Sequence, residues 1–153
     1  MTAHRNTASE KRRKRAFNRE KGYWAARERM WKKYGIKTET DDGSGLRDFT
    51  RLDYLALLNY QEGHDPLCGT DDFWGSLAVE HDHTTGLARG LCCHKCNQRA
   101  IGTFERYGHY KGVEHEAALA KYLGDPPYQR MMRGAPFVPY WTPKRAVSGK
   151  VER

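Results

Sequence analysis

The sequence predicts an α+β protein, mostly helical, with a long basic helix at its N-terminus and a structural zinc knuckle near its centre. Three observations carry that reading. Residues 9–33 are rich in Lys, Arg, Glu and Ala, and Phe17, Tyr23, Trp24 and Trp31 fall roughly on one helical stripe. Two short runs, Ser76–Val79 and Leu87–Arg89, flank the turn-forming His83-Thr84-Thr85-Gly86 and read as paired strands. Cys93-x-x-Cys96 has the spacing of a metal knuckle and opens a short helix reaching Ala100.

The elements follow in order. Residues 1–8 read as disordered. Ser9 is a candidate cap for the first helix, and Gly35 a plausible stop. The aromatic stripe is better explained by packing than by base stacking. Residues 37–49 are polar with two glycines and read as a linker. Thr50 starts a second helix, with Asp53 three residues later as in a capping box. Tyr54, Leu55, Leu57 and Leu58 give that helix an apolar side, and Gly63 ends it. A turn around Pro66–Gly69 and a polar loop, Thr70–Gly75, precede the strands. Glu114–Leu123 is a further helix, stopped by Asp125-Pro126-Pro127. The segment 128–153 is Pro-rich and basic and reads as a tail that wraps the surface or stays mobile. The division is therefore a basic arm over 1–36, a linker over 37–49, a folded domain over 50–127 and the tail.

Composition narrows the function. The chain has 153 residues, 38% hydrophobic and 30% charged, so a large core is not expected and a metal staple would help. No stretch reaches the roughly 18 apolar residues of a membrane span. No apolar run follows the basic N-terminus, so no signal peptide is expected and the cytosol is the default location. There, four cysteines read as metal ligands or free thiols before disulfides. The net charge of +8 is unevenly spread. Residues 1–36 hold twelve Lys/Arg and three Glu, whereas the remainder is close to neutral. A basic arm that includes Arg12, Arg13, Lys14 and Arg15 predicts contact with nucleic acid.

The knuckle needs a second half. Cys68 is the other cysteine in a turn, and His64 and Asp65 lie four and three residues before it. Histidine suits zinc better on softness, while Asp65 has the x-x spacing. The fourth ligand is therefore open between them. The plainer alternative is a free core cysteine and no zinc. Cys92 neighbours Cys93 and reads as a buried thiol.

A second constellation lies at Glu80, His81, His83 and Asn97. A carboxylate and an amide oxygen suit Mg²⁺ or Mn²⁺. A neutral histidine beside them can take a proton from water. Strand alternation would put Glu80 and Asp82 on one side and His81 and His83 on the other. Arg89 on the return strand could face phosphate or form a structural salt bridge.

The whole stretch, Val79–Asn97 (VEHDHTTGLARGLCCHKCN), resembles the recombination endonuclease VII family of phages, whose usual form is V-D-H-D-H-x-T-G-x-V-R-G-L-L-C-x-x-C-N. Lys33-Tyr34-Gly35-Ile36, Tyr54–Gln61 and Ala118–Pro127 resemble its flanking segments, so the resemblance spans roughly residues 30–127. It implies a His-Me finger nuclease with a small ββα-metal core beside a four-ligand zinc. Glu80 and Asn97 would then hold Mg²⁺, His81 would be the general base and His83 would assist at the phosphate. Members cut branched DNA such as Holliday junctions, often as homodimers. If the chain is phage-encoded, its place of action is the host cytoplasm. Two departures stand out. Gln61–Gly69 (QEGHDPLCG) puts Asp65 where the family has its first cysteine, and Glu80 stands where it has Asp.

The rival readings are a general HNH-type nicking endonuclease and a zinc-knuckle DNA-binding protein without catalysis. A thiol oxidoreductase is disfavoured, because its CxxC would sit near a βαβ pattern that this chain lacks.

Overall fold

The computed structural model describes residues 8–71, 75–110 and 113–140, with side chains left out at 9, 10, 12–18, 113 and 114. The side chains of Arg12, Arg13, Lys14, Arg15 and Phe17 therefore lie outside the described residues, as do residues 1–7 and the second half of the basic tail, 141–153. Among the described residues there are five α-helices, one π-helical segment and two two-stranded antiparallel sheets. No helix is long and apolar enough to cross a membrane.

Helix α1 runs Ala8–Lys33 and ends on Gly35 at φ 70°. The Ile36 amide donates to the Trp31 carbonyl at 2.9 Å and the Gly35 amide to that of Lys32 at 3.1 Å. This is a Schellman stop, in which glycine takes the left-handed position without steric cost and Ile36 packs back on Trp31. Trp24 and Trp31 are buried, as the packing reading of the stripe requires. Trp31 stacks on Tyr54 at 5.6 Å and meets Phe49 edge-on at 5.2 Å.

Residues 37–49 are not a linker. They form strands β1 (Lys37–Glu39) and β2 (Leu46–Asp48), paired antiparallel. The polar composition that suggested a linker builds the turn. Asp42 Oδ1 accepts from the Thr40 hydroxyl and from both the amide and the hydroxyl of Ser44. Thr38 is fully buried, hydrogen-bonded to the Tyr128 hydroxyl.

Helix α2 spans Arg51–Tyr60. Its start carries the capping box that the sequence predicts. Asp53 Oδ2 accepts the Thr50 amide at 2.8 Å and the Thr50 hydroxyl at 3.0 Å. The central hairpin pairs β3 (Ala78–His81) with β4 (Ala88–Cys92). It starts later than Ser76–Val79 and runs further than Leu87–Arg89, for a reason visible in α1. The Gly75 carbonyl accepts the Tyr23 hydroxyl at 2.8 Å, and the Leu77 carbonyl accepts Arg27 Nη2 and the Tyr54 hydroxyl, each at 2.7 Å. Those oxygens are taken by side chains, so ladder pairing begins at Ala78. Arg27 is buried, with its guanidinium 4.7 Å from the Tyr54 ring centroid.

A π-helical segment, Lys95–Ile101, runs into α3, Gly102–Tyr107. Helix α4 is Val113–Gly124. Pro126-Pro127 does not simply end it. Pro127 occupies the first turn of α5, Pro127–Met132, where its missing amide costs nothing, and Tyr128 is buried. The start of the expected tail is therefore helical and part of the core.

One glycine ties the arm to the hairpin. Gly86 sits at φ 81° and accepts the Lys37 amide at 2.8 Å, and a Cβ there would meet the Gly35 carbonyl oxygen. Gly86→Ala should therefore cost about 2 kcal/mol from the left-handed backbone alone, with the clash added. The check is a urea midpoint that falls without loss of helical signal.

Candidate metal centre and active site

The knuckle residues converge. One ligand atom each from Asp65, Cys68, Cys93 and Cys96 lies within 4.8 Å of the others. The Cys68 and Cys93 sulfurs are 3.7 Å apart. Zn–S bonds of about 2.3 Å in a tetrahedron put sulfurs about 3.8 Å apart, so the spacing fits zinc. Asp65 is fully buried. Its Oδ1 accepts the amides of Leu67 at 2.7 Å and Cys68 at 3.0 Å, and its Oδ2 accepts that of Cys93 at 2.6 Å. A carboxylate offers about four acceptor positions, so Oδ2 keeps one for an ion. His64 faces Asp71 instead, its Nδ1 2.5 Å from Oδ1. Of the two candidates for the fourth position, the cluster includes Asp65. The thiols also hold one another. A hydrogen bond from Cys96 pulls Cys68 down to about 6, and burial pushes Cys93 up to about 11. Cys92 is fully buried, with its thiol against the Tyr122 hydroxyl at 3.5 Å.

The hairpin end departs from simple alternation. Pairs Glu80↔Gly90 and His81↔Ala88 leave Arg89 as an extra residue, a β-bulge. Asp82 caps the turn, its Oδ1 accepting the amides of Thr84 at 2.7 Å and Thr85 at 3.3 Å. His81 and His83 come together as predicted, with ring centroids 4.7 Å apart. His81 is half-buried at the end of β3. Burial, then the neighbouring His83, keeps its pKa below the ordinary histidine value. That shift favours the neutral imidazole near pH 7, in which one nitrogen carries a proton and the other can accept one.

Glu80 points inward and is 1% exposed. Arg89 Nε donates to Oε1 at 3.1 Å and to Oε2 at 2.9 Å, Arg89 Nη2 donates to Oε1, and the Tyr122 hydroxyl donates to Oε2 at 2.8 Å. Burial pushes the Glu80 carboxyl up, with Arg89 opposing. Asn97 lies half-buried in the π-helical segment, one residue past Cys96, and is not among these partners. As placed, both Glu80 oxygens are bonded to Arg89 and Oε2 also to Tyr122, so this half of the site does not fit Mg²⁺ in the way the zinc cluster fits zinc.

Comparison with known proteins decides the family. The recombination endonuclease VII profile matches residues 28–124, more than half of the chain. The chain belongs to the recombination endonuclease VII family. It is also similar to the Gene 59 protein of Mycobacterium phage D29, 37% identical over 54 residues, which is 35% of this chain and 33% of that protein. The Gene 59 protein of Mycobacterium phage L5 is 35% identical over 51 residues, 33% of this chain and 31% of that protein. The chain therefore spans about a third of the length of these curated relatives. No solved structure matches.

In this endonuclease VII family member, Arg89 does not face outward as a phosphate contact. Its side chain is 11% exposed, and its Nη2 also reaches Glu105 Oε1 at 2.8 Å and the His81 carbonyl at 3.2 Å. The salt-bridge alternative is the one that the structure takes, because the bulge turns this residue onto two carboxylates. Tyr122 and Glu105 went unrecognised in the sequence. Tyr122 reads as packing, although a buried tyrosine hydroxyl generally needs a partner. Glu105 carries no local signal.

Proposed function

We propose that this protein is a metal-dependent endonuclease that hydrolyses phosphodiesters in branched DNA, with His81 as general base. The observation that carries the reading is the His81 imidazole, half-buried against His83 at the hairpin end of a chain in the endonuclease VII family, with its pKa lowered by that burial. A general base must keep an unprotonated nitrogen near neutral pH and hold it still. Burial favours the unprotonated form, and the His83 ring beside it, with centroids 4.7 Å apart, limits its movement. His83, exposed beside it, is the residue proposed to meet the phosphate.

Zinc at Asp65, Cys68, Cys93 and Cys96 would be structural. It would tie the turn at Cys68 to the limb that carries Asn97, and its binding energy would add to folding. The family resemblance assigns Mg²⁺ to Glu80 and Asn97 within a His-Me finger. With both Glu80 oxygens bonded to Arg89, the step assigned to this chain is the proton transfer at His81. The basic arm, Arg12 to Arg15 included, would supply sequence-independent DNA affinity that weakens steeply with salt. Junction preference and a homodimer are part of the proposal.

The decisive assay offers the protein a synthetic four-way junction, the matching linear duplex and supercoiled plasmid, with Mg²⁺ and with EDTA. Cuts in the junction that require Mg²⁺ are expected. Equal cutting of duplex and plasmid would indicate a general nicking enzyme. Binding without cuts would favour a non-catalytic DNA-binding protein, the reading that the pairing of Glu80 with Arg89 supports.

A further inference from the structure

We propose that the exposed face of the helix from Lys95 to Tyr107 is a DNA-binding surface separate from the N-terminal arm. Lys95, Arg99 and Arg106 lie along the phosphates of one strand, and Tyr107 stacks on an unpaired base at a branch. The proposal rests on the reading that this chain acts on branched DNA.

Burial defines the face. The π-helical segment runs into α3 without a break, and Cys96, Ala100 and Ile101 are buried on one side of it. Lys95, Arg99, Gly102 and Arg106, spaced by a helical turn, are all exposed on the other. None of the three cations has an ion-pair partner among the described residues. Glu105, the acidic residue of this helix, is taken by Arg89. Like charges four residues apart repel along a helix, so the fold gains nothing from the row. A phosphate backbone supplies the missing counter-charge. At the helical rise the row is about 15 Å long, the axial length of about four base pairs.

Gly102 points the same way. Its φ of −59° and ψ of −41° are ordinary helix, and a Cβ there would come no closer than 3.8 Å to its nearest neighbour, the Asn97 carbonyl oxygen. Neither backbone nor packing requires glycine, which weakens a helix relative to alanine. Its bare surface lets a phosphate approach the helix between Arg99 and Arg106. Past them, Gly108 at φ 74° stops α3 and leaves Tyr107 62% exposed, its ring 6.2 Å from that of His109 and 30° from parallel. Aromatic rings beside a cationic track hold unpaired nucleotides by stacking, and a branch point offers unstacked bases. The row also ends at the candidate base. Glu105, next to Arg106, bonds Arg89, whose Nη2 reaches the His81 carbonyl.

The test measures equilibrium DNA binding by the full-length, zinc-loaded chain without Mg²⁺, so that cutting plays no part. Combining Arg99→Gln with Arg106→Gln, arm intact, should reduce the slope of log affinity against log salt by about 2 and weaken binding on the order of tenfold at physiological salt. Tyr107→Ala should weaken binding to a four-way junction by about tenfold and leave linear duplex unchanged, with Tyr107→Phe restoring the parent value. A 2-aminopurine base at the branch should be quenched by the parent and not by Tyr107→Ala. Gly102→Glu separates binding from folding. It should leave the thermal midpoint no lower, since the position has room and glycine is a poor helix former, while DNA affinity falls by about tenfold. Parent affinity and slope in the double variant overturn the proposal, as does a Gly102→Glu protein that binds as the parent does. A Tyr107→Ala protein that keeps the parent's preference for junction over duplex overturns the stacking role. Junction cleavage by a double variant of parent affinity would sink this proposal and spare the nuclease reading. Binding that depends on the row, by a chain that never cuts, would do the reverse.

Discussion

His81→Ala is expected to lower the single-turnover rate of junction cleavage by about 10²–10⁴-fold, the range that a positioned general base contributes. DNA affinity and the thermal midpoint should stay near those of the parent, since the half-buried ring gives up little more than its contact with His83. The pH profile tests the same assignment from another side. Burial and then His83 hold the His81 pKa below the ordinary value of 6.5. The base works unprotonated, so a depressed pKa keeps it active as pH falls through 6.5. The acid limb of kcat/KM should therefore lie below that value. His83→Ala removes the second of the two depressing influences and should move the limb upward, toward ordinary histidine. An acid limb that ignores His83, or a His81→Ala protein as fast as the parent, would rule out His81 as the base.

The sequence reveals the donors better than their partners, and the reason is physical. Thiolates and imidazoles are scarce and chemically specific, so Cys93-x-x-Cys96 with Cys68 upstream, and His81 beside His83, can be read from spacing alone. The cap at Thr50 and the stop at Gly35 are legible because they depend on residues within one turn. Glu80 shows the limit. Its residue type suits a metal, yet its state depends on Arg89 across a bulge, on Tyr122 from α4 and on Glu105 from α3. Bulges follow from tertiary packing, and no alternation pattern announces one. The segment 37–49 misled for a related cause. Its polar residues satisfy one another inside a tight turn, so they look like solvent-exposed linker until Thr38 is seen beneath Tyr128.

Asp65→Ala should be the most damaging single change at the zinc knuckle. Removing the carboxylate leaves three part-buried amides, of Leu67, Cys68 and Cys93, without their acceptor. An orphaned buried donor costs about 1–3 kcal/mol and a part-buried one less, so a combined loss of about 2–3 kcal/mol is expected. Zinc affinity should drop by about tenfold or more, because the residue both faces the ion and orients the loops that carry its thiolates. His64→Ala removes a half-exposed side chain turned toward Asp71 and should leave both quantities near those of the parent. Zinc content after dialysis against a chelator, with a urea midpoint for each variant, separates the two. Equal loss from both variants, or zinc retained at full strength in Asp65→Ala, would remove Asp65 from the ligand set. Asp65→Cys sharpens the point. It supplies a fourth thiolate, softer and better matched to zinc, but its sulfur accepts amide hydrogen bonds more weakly than a carboxylate does. The variant should therefore hold zinc longer against the chelator yet be less stable than the parent once the metal is gone. That opposite pair of shifts follows only if Asp65 serves the ion and the backbone at once.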